Sequence, residues 1–369
     1  MTSSETRPLY HRVSHTLIII ALLTYGIFIG QEIIVPLALA TLLAILLRPV
    51  EAWLMRIGFH KVMAISLALI LAIIVLSGIA FFILMQISNF TDDWPKLQDN
   101  INDFYQDARR WIRSQYNVSY RQQNQYIKQA QQKTIESLQG NGAGAIAALS
   151  GPLGTLALLP IYVFLLLYYR TMLLKFIVSL FAEKHSERVW EIIGQTKTVI
   201  QSYVVGLLLE TACVALLNSL GLIALGVKYA FLLGALGAIL NLIPYIGGLI
   251  AIVLTVLVAF MNNPDPSVLL GVVIVYLVVQ FIDNNFFVPV IIGSKVKVNA
   301  LVSIIGVLIG GALAGVSGMF LSIPAIALLK VIFDRVEGLE AWGVLIGDDT
   351  PEDSRRIRFP KWLRFWERS

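Results

Sequence analysis

Between Lys228 and Lys330 the chain runs through 101 residues with only four charges, Asp265, Asp283, Lys295 and Lys297. Two stretches within it share one design. Residues 229–261 run apolar, break at Asn241-Leu-Ile-Pro244-Tyr245-Ile-Gly247-Gly248, then run apolar again. Residues 299–330 do the same around Gly310-Gly311-Ala-Leu-Ala-Gly315-Val-Ser-Gly318, resuming through Pro324. In hydrocarbon a chain must satisfy its own backbone hydrogen bonds. A break at membrane depth is therefore tolerated only where protein or a water-filled cavity receives the freed groups. Paired interrupted segments of this kind point to the solute path of a transporter.

Composition agrees. The chain is 57% hydrophobic and 14% charged, with mean hydropathy +0.77, against about 25% charged for a soluble protein. The expected fold is an all-α integral membrane protein of about eight transmembrane helices. It carries broken or re-entrant helices in its C-terminal half and a helical hairpin outside the membrane. The single cysteine, Cys213, leaves no disulfide framework, and the histidines at 11, 15, 60 and 185 do not pair at ligand spacing. No metal or cofactor is expected beyond coupling to a proton or sodium ion. The net charge of +5 needs no nucleic acid, because the bases gather where cytoplasmic loops fall.

Residues 1–88 are predicted to hold three spans: 15–30 and 33–48, joined at a Gln31-Glu32 tip, and 62–88. The basic loop after residue 48 belongs inside, so both termini are expected in the cytoplasm. Residues 89–144 turn polar. Their apolar positions, spaced by four and three, predict an extracytoplasmic helical hairpin. Residues 145–169 form span four, residues 170–198 cytoplasmic amphipathic helices, residues 199–333 the transport core, and residues 334–369 a cytoplasmic tail. In that tail Phe359, Trp362, Leu363 and Trp366 share one helical face opposite Lys361, Arg364 and Arg368, the pattern of an interfacial membrane anchor.

Within the core Glu210 stands near the middle of an apolar span. A charged acid at a helix centre costs about 2.5–3.5 kcal/mol on insertion scales, so it is expected to face protein or water. It is a candidate proton or cation carrier, or a solute contact. Its alternative is a structural acid, bonded to Tyr203 or a neighbouring helix. Asn241, Pro244, Tyr245, Gly247 and Gly248 form a break whose freed carbonyls, amide and hydroxyl suit a polyhydroxylated solute or a cation. Packing alone could also account for the kink. Gln280, Asp283, Asn284 and Asn285, with Pro289 following, form a dense polar cluster after an apolar span. It reads as a partly buried site or as an interfacial loop. Gly310, Gly311, Gly315, Gly318 and Pro324 read as hinge and packing positions. The chain has no phosphate-cradling loop, no nucleophile elbow and no His-Glu-x-x-His, so no enzymatic chemistry is expected.

Three motifs, Pro244-Tyr-Ile-Gly-Gly248, Gln280-Phe-Ile-Asp-Asn-Asn-Phe-Phe-Val-Pro289 with Ile292-Gly293, and Gly310 through Met319 with Pro324, resemble in order and spacing the autoinducer-2 exporter family of permeases. The resemblance implies a multi-pass protein of the bacterial inner membrane that assembles as a homo-oligomer. Members of that family resemble exporters of a small signalling furanone or exchangers of sodium or lithium for protons. Two positions depart from the family pattern. No proline lies between Gly248 and Phe260, and Asn299-Ala300 stands where His-Pro is frequent. A proton role for that histidine does not carry over to Asn299. Three readings remain. The first is an ion-coupled exporter of a small polar solute, with the autoinducer-2 signal a candidate cargo. The second is a Na+(Li+)/H+ antiporter using Glu210 and Asp283, and the third a scaffold whose outer hairpin binds partners.

Overall fold

The computed structural model describes residues 9–92, 110, 158–243, 246–262, 265–293 and 298–348. All regular elements among them are helical. The expected outer hairpin lies outside the described residues apart from the end of α2 and Arg110, as do Pro244, Tyr245 and the basic–aromatic tail from residue 349. In chain order the elements are α1 (Leu9–Arg56), α2 (Lys61–Asp92), α3 (Leu158–Tyr168), α4 (Arg170–Ser179), α5 (Ser186–Ala224), α6 (Ala230–Asn241), α7 (Ile246–Asn262), α8 (Pro266–Ile282), α9 (Ala300–Phe333) and α10 (Glu340–Ile346). A π-helical segment, Asp283–Gly293, continues α8.

By length and composition five of the described helices could cross a membrane, α9 among them only if its internal break is passed over, or six if α3 and α4, bent by 66° at Tyr169, form one broken span. Among the described residues this is fewer than the expected count of about eight, for two reasons. First, α1 is one helix of 48 residues, and no tip forms at Gln31-Glu32. Gln and Glu are good helix formers, and no Asn-Gly or Pro turn signal stands there. Each predicted span, at 16 residues, is also shorter than the roughly 20 a crossing needs. Second, each of the two broken segments folds back on itself, and the arms of the first fall short of spanning length.

The first foldback is α6–α7. A proline at 244 disfavours continued helix in the residue before it, and a Cβ on Gly247 would overlap the Leu240 carbonyl. That close approach belongs to a chain reversing direction. The end of α7 accordingly returns to the start of α6, with Ala259 and Asn262 beside Gly226, Val227 and Lys228. The arms hold 12 and 17 residues.

The second foldback lies inside α9. Its helical geometry fails at Ala314 and Gly315, where Gly315 takes φ +58° and ψ −144°, a conformation open to glycine. Ser322 Oγ donates to the Gly306 carbonyl at 2.9 Å, 16 residues away. In a straight helix those residues would stand about 24 Å apart. Gly310 and Gly318 meet backbone to backbone across the seam. The base closes where Asn299 N–H donates to the Ile346 carbonyl at 3.0 Å.

The hairpin bases sit at opposite ends of α5, whose 39 residues span about 58 Å. The α9 base holds the start of α5 through Arg188–Glu337 at 2.7 Å and Arg335–Glu191 at 3.6 Å. The α6–α7 base lies beside its end. The two hairpins therefore enter from opposite faces. Along α5 the buried residues Tyr203, Gly206, Glu210, Val214 and Asn218 form one stripe, while Leu208, Leu209, Leu216 and Leu220 lie exposed. Such apolar outer faces suit lipid.

Candidate functional site

Where the first hairpin turns, three elements bring polar side chains together. Asn241 ends α6, Glu210 projects from the middle of α5, and Asp283 stands where α8 passes into its π-helical continuation. Asn241 Nδ2 donates to Asp283 Oδ2 at 3.0 Å and to Glu210 Oε1 at 3.3 Å. That one amide bridges the two acids. Gln280 Nε2 adds a longer contact to Asp283 Oδ2, 3.4 Å, and one to Asn284 Oδ1, 3.3 Å. Both acids are buried, Glu210 at 5% and Asp283 at 2% exposure. Asp283 Oδ1 is buried with no hydrogen-bond partner among the described residues.

Local sequence explains the convergence. Leaving a helix at a break frees Asn241 to present its amide inward. Gly247 admits the reversed chain against Leu240, and a Cβ on Gly248 would stand 3.0 Å from Gln280 Oε1 and 3.7 Å from Asn241 Oδ1. The paired glycines thus bring the second arm onto the polar cluster. π-Helical turns leave the ordinary ladder of hydrogen bonds and recur at functional positions. Here that departure begins at Asp283.

Of the predicted residues, Glu210, Asn241, Gly247, Gly248, Gln280 and Asp283 come together. Asn284 touches the cluster only through Gln280 and is exposed. Asn285 is exposed and donates to the Phe281 carbonyl of its own helix at 2.8 Å, and Pro289 is likewise exposed. Gly310 and Gly318 line the seam of the second hairpin, Gly311 packs on Met319, and Pro324 is buried in the second arm. Phe320, Leu321 and Ile323 of that second arm pack on Ile200, Tyr203 and Val204 of α5.

Sequence reading passed over three residues. Asn218 lies on the Glu210 stripe of α5, 2% exposed, and its Oδ1 has no hydrogen-bond partner among the described residues. Its signal was polarity at i+8 from Glu210 on one helical face. Gly306 and Ser322 complete the second hairpin's seam, and Gly306-xxx-Gly310 and Gly318-xxx-Ser322 are the small-residue spacings that let helices approach closely.

Two carboxylates, one of them with an oxygen that lacks a donor, and two amides make a site richer in hard acceptors than in donors. That chemistry suits a proton or a hard cation rather than a soft metal. Among the described residues no group of three His, Cys, Asp or Glu forms.

Comparison with known proteins agrees with this architecture. The family model described as AI-2E family transporter matches residues 17–338. The "Putative transport protein YrrI" of Bacillus subtilis is 24% identical over 312 residues, covering 82% of this chain and 86% of that one. The "Putative transport protein YhhT" of Escherichia coli is 25% identical over 332 residues, 89% and 91% of the two chains. The "AI-2 transport protein TqsA" of Escherichia coli is 26% identical over 328 residues, 88% and 92% of the two. A match across nearly the whole length, on an all-helical chain with five or six helices of spanning character, identifies this chain as a multi-pass membrane protein belonging to the AI-2E transporter family.

Proposed function

We propose that this chain is an ion-coupled secondary transporter of the bacterial inner membrane, exporting a small polar solute, with Glu210 and Asp283 as the coupling carboxylates. The carrying observation is the Asn241 amide, fixed to a hairpin tip and shared between acids on two other elements. Displacing that tip takes a donor from both acids. Hairpin position and ion occupancy are therefore linked in free energy, which is what coupling requires. Two hairpins entering from opposite faces supply two separate barriers for alternating access. Arg48, Arg188 and Arg335 mark one face, which the positive-inside bias assigns to the cytoplasm together with the segment after α9. With α1 a single helix, the hairpin parity that put the amino terminus on the same side no longer applies.

The name of the Escherichia coli relative makes the autoinducer-2 signal the first cargo to test. A second reading, Na+(Li+)/H+ exchange without organic cargo, is favoured by Asp283 Oδ1, a buried acceptor lacking a donor. Purified protein in liposomes with an imposed pH gradient and an internal pH dye separates the two. Sodium or lithium pulses that collapse the gradient in wild type but not in Glu210→Gln assign the exchanger. Silence to both cations, with gradient-driven efflux of labelled furanone signal that Glu210→Gln abolishes, assigns the exporter. Efflux and exchange both unchanged in Glu210→Gln would sink the coupling role altogether.

A further inference from the structure

A cavity of about 970 Å³ opens at the basic face, far from the acid cluster, between α1, α3, α4, α5 and the end of α9. Its wall is apolar, built by Leu167, Leu174, Ile177, Phe181, Val189 and Ile332. Its charged lining is almost entirely cationic: Arg48, Arg170, Arg188, Lys197 and Arg335 against Glu337 alone.

The local acids do not neutralise that set. Arg48 pairs with Glu51 at 3.1 Å, Arg188 with Glu337 at 2.7 Å, and Arg335 with Glu191 at 3.6 Å and with Gln195. Arg170 and Lys197 have no acidic partner among the described residues. One further donor in the same lining, the Thr196 hydroxyl, is buried without a hydrogen-bond partner among the described residues. Every unmet group here is a cation or a hydrogen-bond donor. The ligand this lining suits is an anion with several acceptor oxygens and a hydrocarbon portion to meet the apolar wall.

We propose that this cavity binds an anionic phospholipid, its phosphate at Arg170 and Lys197 and its acyl chain along the apolar wall. α4 and the two residues after it lead into the cavity with Met172, Phe176, Leu180 and Phe181 exposed by 58, 59, 65 and 52%, a surface suited to the lipid headgroup boundary. The basic tail, with Arg355, Arg356, Arg358 and Lys361, is a poor occupant, since like charges would meet. The site stands independently of the transport reading.

Native mass spectrometry of the full-length protein in detergent, titrated with phosphatidylglycerol or with phosphatidylcholine of identical acyl chains, tests it. Phosphatidylglycerol is expected to be retained at least tenfold better. Arg170→Gln/Lys197→Gln is expected to remove that preference, by about fivefold per base. Arg170→Lys keeps the charge and is expected to keep the preference, which separates lost binding from lost folding. Lys175→Gln/Lys184→Gln alters bases of the same segment that do not line the cavity, and is expected to change nothing. Equal retention of the two lipids would overturn the site. So would an equal loss in the Lys175/Lys184 pair, which would mean diffuse surface attraction, or full competition by free glycerol phosphate, which would make the apolar wall irrelevant.

Discussion

Asn241 Nδ2 reaches Asp283 Oδ2 at 3.0 Å across 42 residues of sequence, tying the tip of one hairpin to the point where another helix changes winding. A hydrogen bond to a charged acceptor contributes about 1.5–3 kcal/mol. Asn241→Ala is therefore expected to lower coupled flux by about tenfold or more while the protein still purifies as a folded species. Asn241→Asp should be worse, because it sets a third acid beside two. Flux in liposomes, read beside thermal melting, checks both.

Glu210 and Asp283 share one donor and should act as one unit. Glu210→Gln and Asp283→Asn are each expected to abolish coupled flux, and the double variant should be no worse than either. Groups in one network give interaction energies of about 0.5–3 kcal/mol in such cycles. Strictly additive losses would show that the two acids work separately.

Adjacent glycines should behave in opposite ways. A Cβ on Gly247 meets the Leu240 backbone carbonyl, which cannot move without opening the hairpin. Gly247→Ala is expected to cost about 3 kcal/mol or more and to depress the yield of folded protein. A Cβ on Gly248 meets the end of the Gln280 side chain at 3.0 Å, which can swing away. Gly248→Ala should fold normally, melt within about 1 kcal/mol of wild type and transport less, because Gln280 leaves the cluster.

Asn299 accounts for itself structurally. Its Oδ1 accepts from Val302 N–H at 2.9 Å, and its Nδ2 donates to the Leu345 and Gly347 carbonyls at 2.6 and 3.0 Å. Asn299→Ala removes a helix cap and the tie between α9 and α10. It should cost about 1–3 kcal/mol and leave the proton-to-solute ratio unchanged. A changed ratio would make this position part of the proton route after all.

Asp265 offers a control for pH. It caps α8, and its carboxylate accepts from Ser267 N–H at 2.9 Å, which holds it below the usual carboxylate range. A group depressed on folding contributes fully above the ordinary Asp value of about 3.9 and is lost only as pH falls through the lower folded value. The cap therefore does not titrate between pH 5 and pH 8. Asp265→Asn, which caps almost as well, should leave the pH profile of flux in place, whereas Glu210→Gln should flatten it.

Glu210, Asn241 and Asp283 were legible in the sequence for a common reason. A polar group inside a long apolar run is too costly to be placed without a partner. Their meeting was not legible, since lipid-facing and protein-facing sides are both apolar and offer no contrast to set the phase of a helix. The same blindness made Asp283, Asn284 and Asn285 look like one cluster. Neighbouring side chains on any helical segment point in different directions, so Asp283 turns inward while the two asparagines are exposed. The N-terminal misreading has another origin. Gln31 and Glu32 interrupt hydropathy without interrupting helix, and polarity alone is not a turn.

The arms of the first hairpin, 12 and 17 residues long, are each short of the roughly 20 apolar residues that make an independent span. Neither can partition into the bilayer alone during synthesis. The pair depends on docking against α5 and α8 to hold its place. Substitutions there will first register as faulty biogenesis. Low transport from a variant between residues 230 and 262 reports on the transport cycle only after the amount of assembled protein has been measured.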